Sequence, residues 1–188
     1  MSQQLIAAVL LAGGASRRMG RPKALLPIEG TTFLSRLIHL YAPHCSPLIV
    51  VLGHGADALQ QAFAHEPVTF AVNPDPERGQ LSSLQAGLAL TTAGVLFQPI
   101  DFPAVRAVTV ARLAQTEAPL AIPVHQGRRG HPVRLNQAIV RELLALPATA
   151  QARDVIRAHY AEAAFVEVDD PGTVTDIDTP EEYAQWIS

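Results

Sequence analysis

The stretch LIAAVLLA, from Leu5 to Ala12, carries no polar side chain. A half-buried strand alternates apolar and polar positions, so an unbroken run that stops at Gly13-Gly14 predicts a strand covered by helices on both faces and followed by a loop. Residues 31–42 then place Phe33, Leu34, Leu37, Ile38 and Tyr41 on one helical stripe, behind threonines suited to capping it. The cycle repeats. Pro47 to Leu52 reads as a second strand, ADALQQAFA as a helix and VTFAV as a third strand. A polar loop from Asn73 to Gln80 precedes a predicted helix over 82–90. GVLFQPID is the next strand, ending at Asp101, and Phe102-Pro103 turns the chain into a helix over 108–115.

The last third is less regular. LAIPV at 120–124 predicts a strand, but HQGRRGHP interrupts the alternation and predicts a small inserted hairpin or cap. Helical patterns return at 138–146 and 152–159, followed by FVEV at 165–168. In the acidic loop beyond it, Asp169 and Asp170 read as a solvated turn before Pro171-Gly172. Thr179-Pro180-Glu181-Glu182 has the hydroxyl, proline and glutamate spacing of a capping box opening the final helix. No flexible linker divides the chain, so residues 1–188 are expected to form a single domain. Its fold class is α/β: a three-layer α/β/α, Rossmann-like arrangement on a mostly parallel sheet, with the ligand beyond the carboxyl ends of the strands.

Composition narrows the chemistry. Across 188 residues, 14 basic and 17 acidic side chains give a net charge of -3, which argues against a broad nucleic-acid surface while leaving room for a local anion site. The one cysteine, Cys45, lies among prolines and apolar residues and reads as a structural thiol rather than a nucleophile. The opening segment has no basic n-region, and its apolar run is too short to span a bilayer, which predicts a cytoplasmic protein without membrane contact.

The segment Leu11-Ala-Gly-Gly-Ala-Ser-Arg-Arg-Met-Gly-Arg-Pro-Lys23 joins glycines, a hydroxyl and four cations directly after the first strand. Gly13, Gly14 and Gly20 permit close backbone approach, and amides with Ser16 suit a triphosphate. The spacing is not that of a P-loop, because Lys23 lacks the adjacent glycine and the following Ser or Thr. Nor is Gly13-Gly14-Ala15 a dinucleotide turn. Lys23 is the only lysine among the 14 basic residues, a compact charge where the chain otherwise uses arginine. Asp101, at a predicted strand end, is a candidate magnesium ligand. A second acid from Asp176 or Asp178 would converge on it only if the sheet brings two distant loops together. No Ser/His/Asp order suggests a covalent mechanism.

LAGGASRRMGRPK, NPDPERGQLSSLQAGL, PIDFPAV, RRGHPV and TDIDTPEEY, in that order, resemble the molybdenum cofactor nucleotidyltransferase family, within the nucleotide-diphospho-sugar transferase superfamily. The resemblance spans essentially the whole chain. It implies nucleotide binding by Leu11, Ala12, Gly13, Gly14, Ser16, Arg18, Lys23, Asn73, Gly79, Ser82, Ser83, Gln98 and Asp101, with Arg18, Lys23 and Asp101 catalytic. It further implies Mg2+ on Asp101 and on Asp176 or Asp178, with Asp176 preferred, and an acceptor side at Arg129, Gly130 and His131. The implied reaction is magnesium-dependent transfer of a nucleotidyl group, CMP from CTP, to molybdopterin or its molybdenum-loaded form, with contact to a molybdoenzyme or its maturation chaperone. Gly13-Gly14 resembles the GTP-using guanylyltransferases instead, whereas the Arg21-Pro22-Lys23, Ser82-Ser83, Arg129-Gly130-His131-Pro132 and Asp176-Ile-Asp-Thr-Pro segments resemble the cytidylyltransferases. Two further readings stay open: a nucleotidylyltransferase for another phosphorylated metabolite, and a non-catalytic nucleotide-binding or cofactor-delivery module.

Overall fold

The computed structural model describes residues 6–147 and 149–187. In chain order the strands are β1 (Ile6–Leu11), β2 (Pro27–Ile28), β3 (Thr31–Thr32), β4 (Cys45–Leu52), β5 (Thr69–Val72), β6 (Val95–Pro99), β7 (Leu120–His125), β8 (Arg128–Arg129), β9 (Val133–Leu135) and β10 (Ala163–Glu167). The helices are α1 (Phe33–Tyr41), α2 (Ala56–Ala62), α3 (Gln80–Leu88), α4 (Ala107–Ala114), α5 (Gln137–Ala145), α6 (Ala152–Ala158) and α7 (Pro180–Ile187).

The main sheet runs β10-β7-β9-β6-β1-β4-β5, with β8 folded back on β7 and β2-β3 a separate ribbon. β1 pairs in parallel with both β4 and β6, whereas β9 is antiparallel to its two neighbours. The predicted hairpin is therefore present as β7-β8. The short β9 was not foreseen, because three residues are too few to show a period.

The first strand is apolar throughout because both its faces are covered. Ala8 and Leu10 pack with Phe33, Leu37 and Tyr41 of α1 and Val110 of α4, while Ala7, Val9 and Leu11 pack with Leu84 and Leu88 of α3 and Ile139 and Leu143 of α5. Local capping sets where helices start. The Thr32 side chain accepts from the Ser35 amide at 3.2 Å, and Thr179 and Glu182 exchange the two bonds of the capping box at 3.2 and 2.9 Å.

Asp170 corrects one expectation. It is no solvated turn residue: at 1% exposure, its carboxylate accepts from the Arg106 amide, the Thr109 hydroxyl and the Gly172 amide at 2.6–3.0 Å. Three donors from two segments offset its desolvation, and they tie the loop after β10 to the start of α4. Sequence spacing could not bring residue 170 to residues 106 and 109.

The chain passes from β1 to one side of the sheet and returns to the other through β6, so the loops after these strands diverge around a crevice at their carboxyl ends. Helix α3 lies so close beneath them that a Cβ on Gly87 would sit 2.6 Å from a methyl of Val9 and 2.7 Å from one of Val51. Alanine normally favours a helix interior by about 1 kcal/mol over glycine. Here the added methyl meets β-branched core side chains, and overpacking of this kind costs about 1–3 kcal/mol. Gly87→Ala is expected to destabilise the protein in urea unfolding, opposite in sign to the helix-propensity effect; a gain in stability would show that α3 does not rest on the sheet in this way.

Candidate active site

The loop leaving β1 curls back on itself. Ser16 (φ 48°) and Gly20 (φ 71°) both take left-handed backbone, the Gly20 amide donates to the Ser16 carbonyl at 3.0 Å, and the Lys23 amide lies 3.3 Å from the Ser16 hydroxyl. Glycine adopts such a conformation without steric cost, which explains Gly20 at that point. The loop forms one wall of a cleft of about 680 Å³, lined also by His54, Gly55, Pro76, Gly79, Ser83, Asp101 and Asp178. Leu11, Ala12, Gly13, Gly14, Ser16, Arg18 and Lys23 all line it, so the structure brings together the whole first motif. The volume is within the usual range for a small-molecule site.

Charge in the cleft is organised around Asp178. One of its carboxylate oxygens accepts from Lys23 Nζ and the other from Arg18 at 2.5 Å, joining residues 155 and 160 positions apart. Lys23 is only 9% exposed, so its ammonium depends on this partner. The Lys23 hydrogen bond holds the Asp178 carboxyl below the ordinary carboxylate range, in spite of partial burial, with Arg18 adding to the effect. Asp101 moves the other way. Burial raises its pKa, Lys23 pulls it down less strongly, and Asp178 and Asp176 push it up. Its Oδ1 atom is buried and accepts no hydrogen bond.

An orphaned carboxylate oxygen in a cleft that holds a second carboxylate offers the hard oxygen donors that Mg2+ prefers. Asp101 and Asp178 share the cleft, while Asp176 lines a neighbouring pocket. Of the pair, Asp178 is the one that lines this cleft, and both acids act on Asp101 through their charge. Among the described residues no group of three or more His, Cys, Asp or Glu side chains forms a cation site by itself, so such a metal would need nucleotide oxygens and water.

The loop before α3 behaves differently from expectation. α3 begins at Gln80, so Ser82 and Ser83 lie within its first turn. Asn73, 4% exposed, donates to both hydroxyls at 2.9 and 3.0 Å, and Ser82 bonds back to the Gly79 and Asp75 carbonyls. Gly79 and Ser83 line the cleft; Asn73 and Ser82 brace them from behind. Gln98 is a clear correction. It shares the alternation of Leu96 and Ile100, which packs under α1, and is fully buried between Tyr41 and the Phe102 carbonyl instead of facing nucleotide.

Sequence reading also missed a bridge at the mouth of the cleft. Glu77 accepts from Arg17 at 2.9 Å and lies 3.0 Å from His54 Nε2, linking the loops after β1, β4 and β5. Gly53-His54-Gly55 was legible only as a loop, and nothing in its spacing pointed to Glu77. Cys45 is buried and its thiol is pushed up to about 12 by burial, consistent with a structural role.

A second pocket of about 360 Å³ adjoins the first through Gln80, which lines both. Arg129, Gly130, His131 and Asp176 line it with Phe97 and Phe102. The Arg129 guanidinium lies over the rings of Tyr160 and Phe165, 4.8 and 5.0 Å from their centroids. A Cβ on Gly130 would be 2.0 Å from the Thr173 carbonyl oxygen, so only glycine lets these two segments touch. The His131 ring is 5.5 Å from that of Phe97 and 4.9 Å from that of Phe102. Its Nδ1 atom is buried without a partner, and burial pushes its pKa down to about 4.

A cation-rich, positive-φ loop at the switch point of a parallel sheet, opposite separated carboxylates, defines the class: a nucleotidyltransferase-type α/β domain. The family follows from residues 8–163, which match the MobA-like NTP transferase domain, and the chain belongs to that family. It is 28% identical over 180 residues to the molybdenum cofactor cytidylyltransferase of Escherichia coli K12, covering 93% of this chain and 92% of the relative. It is 29% identical to the molybdenum cofactor guanylyltransferase of Vibrio cholerae, covering 95% and 89%, and 30% identical to nicotine blue oxidoreductase of Paenarthrobacter nicotinovorans, covering 94% of each. The crystal structure of Rv0371c from Mycobacterium tuberculosis H37Rv superposes with a TM-score of 0.87 at 27% identity, covering 100% of this chain and 99% of that one. No helix among the described residues is long and apolar enough to cross a membrane.

The depressed His131 pKa has a measurable consequence. The unfolded chain takes up this proton near pH 6.5 and the folded protein only near 4, so stability falls as pH drops from 6.5 to about 4. His131 NMR resonances are expected not to titrate between pH 7 and 5, and His131→Gln should remove that part of the acid-dependent loss in urea unfolding. A His131 titration midpoint near 6.5 would contradict the buried, neutral ring.

Proposed function

We propose that the protein transfers CMP from CTP to the terminal phosphate of molybdopterin, or of its molybdenum-loaded form, releasing pyrophosphate. The observation that carries this reading is the convergence of Lys23, Arg18, Asp178 and Asp101 in one cleft whose edge, at Gln80, opens into a second pocket. One space suits the nucleotide and the other the acceptor.

Chemically, an acceptor phosphate oxygen bonds to the α-phosphorus as the bond to the β-phosphate bridging oxygen breaks, and the electron pair departs with pyrophosphate. Lys23 and Arg18 neutralise the charge that grows on the leaving group, exchanging the Asp178 carboxylate for phosphate oxygens. Asp101 and the freed Asp178 would hold Mg2+. The bound ion supplies Lewis-acid stabilisation to nonbridging oxygens. On the acceptor side, Arg129 and the neutral His131 present a cation and a ring between aromatic side chains, suited to an anionic, flat molecule. Alignment and electrostatics account for the rate, and no protein nucleophile is needed.

CTP is preferred because most motifs resemble the cytidylyltransferase branch. GTP is the second reading, favoured by Gly13, where a Cβ would approach the Gly53 amide nitrogen and the Ser83 hydroxyl to 3.3 Å. The first loop lacks the dinucleotide glycine pattern, which favours nucleotidyl transfer over a redox role.

The test is a transfer assay with CTP, GTP, ATP and UTP against molybdopterin, its molybdenum-loaded form and a sugar-1-phosphate, with and without Mg2+. Expected is magnesium-dependent formation of a cytosine dinucleotide of molybdopterin plus pyrophosphate, lowered about a hundredfold by Asp101→Asn, the scale of losing one preorganised electrostatic group. A second-order rate constant at least about tenfold higher with GTP would reverse the base assignment. A preferred sugar phosphate would reassign the acceptor, and nucleotide binding without transfer to any acceptor would point to a binding module.

A further inference from the structure

We propose that Gln98 is a positioning residue for Asp101: by gripping the Phe102 carbonyl with one end of its carboxamide and the Tyr41 hydroxyl with the other, it fixes the turn that presents the metal-binding carboxylate. The inference rests on the reading of Asp101 as a metal ligand given above.

Asp101 cannot orient itself through its Oδ1 atom, which is buried without a hydrogen-bond partner. Its placement depends on the backbone around it, and the bonds nearest the carboxylate hold that backbone. The Ile100 amide donates to the Leu11 carbonyl at 3.0 Å, the Ile177 amide to the Asp101 carbonyl at 2.8 Å, and Gln98 Nε2 to the Phe102 carbonyl at 2.8 Å. The first two join main chain to main chain. The third runs through a side chain, as does the Arg36 Nε bond to the Pro103 carbonyl at 2.8 Å, and the Gln98 bond spans the turn from the strand residue three before Asp101 to the residue just after it. Within the turn, the Phe102 amide reaches the Pro99 carbonyl only at 3.4 Å, so the carboxamide supplies the firmer closure.

The other end of the carboxamide is equally constrained. Tyr41, at the end of α1 and with no exposed surface, donates its hydroxyl to Gln98 Oε1 at 2.8 Å. The Phe102 carbonyl can only accept, so it sets the carboxamide with nitrogen toward it, and the Tyr41 hydroxyl then donates to the oxygen and anchors that end. A fully buried glutamine among Leu96, Ile100 and α1 is a costly choice for core filling, since its carboxamide must be desolvated and paired at both ends. The place where its bonds end, one residue beyond Asp101, gives that choice a function.

The test separates positioning from simple stability. Gln98→Met keeps the length and removes both bonds; Tyr41→Phe keeps the Phe102 bond but removes the anchor on the carboxamide oxygen. Mn2+ binding is measured by electron paramagnetic resonance with a non-transferable CTP analogue, and analogue binding is measured separately by calorimetry in EDTA. Orienting partners of metal ligands typically contribute about 10–100-fold in metal affinity. The Mn2+ Kd is expected to rise about tenfold in Gln98→Met and less in Tyr41→Phe, with metal-free analogue affinity unchanged within about twofold. If Asp101→Asn weakens Mn2+ binding but neither variant does, or if the variants weaken metal-free analogue binding equally, the positioning role is overturned. If Asp101→Asn leaves Mn2+ binding unchanged, the metal-ligand reading falls and this inference with it. Should Gln98→Met fail to fold, Tyr41→Phe, which removes a single hydroxyl, decides the question.

Discussion

The cleft is held together by one carboxylate serving two cations. Asp178 accepts from Lys23 and Arg18, drawing the loop before the last helix across to the loop after the first strand. Without it, a lysine 9% exposed would stand desolvated and unpaired, and the positive loop would repel itself. Everything in the proposed chemistry depends on this arrangement being exchangeable. A phosphate presents the same hard oxygens as Asp178, so in the proposed function Asp178 stands in for phosphate on Lys23 and Arg18 until nucleotide replaces it.

The sheet makes the arrangement possible at no special cost in chain length. β1 and β6 are neighbours, so the glycine-cation loop and Asp101 leave the same edge, and the Ile177 amide bonds the Asp101 carbonyl to bring the distant acidic loop in beside them. The two pockets that result differ in character. The first is lined by glycines, cations and carboxylates, and the second by aromatic rings, arginines and a histidine kept neutral by burial. In the proposed function the first would hold the triphosphate and the second the acceptor.

Much of this was legible in the chain. The apolar run of β1, the stripe of α1, the capping box at Thr179 and the glycine-cation loop each follow from local rules of period, capping and backbone freedom, and the structure contains each of them. What escaped was set by tertiary contact. Asp170 looked solvated until Arg106 and Thr109, more than sixty positions away, supplied its donors. Gln98 looked nucleotide-facing until the strand alternation placed it beneath α1. Choosing Asp178 over Asp176 for the cleft required knowing which way a two-residue offset turns each side chain, which no spacing rule specifies.

Asp178 occupies Lys23 and Arg18, and in the proposed function it yields them to phosphate. Calorimetric titration of CTP in EDTA, comparing Asp178→Asn with the unsubstituted protein at low and moderate salt, tests it directly. Asparagine has no charge to compete with phosphate, so metal-free CTP binding is expected to be tighter in Asp178→Asn, with the difference shrinking as salt screens the cleft. Equal or weaker metal-free binding, in a variant whose far-ultraviolet circular dichroism is unchanged, would contradict it.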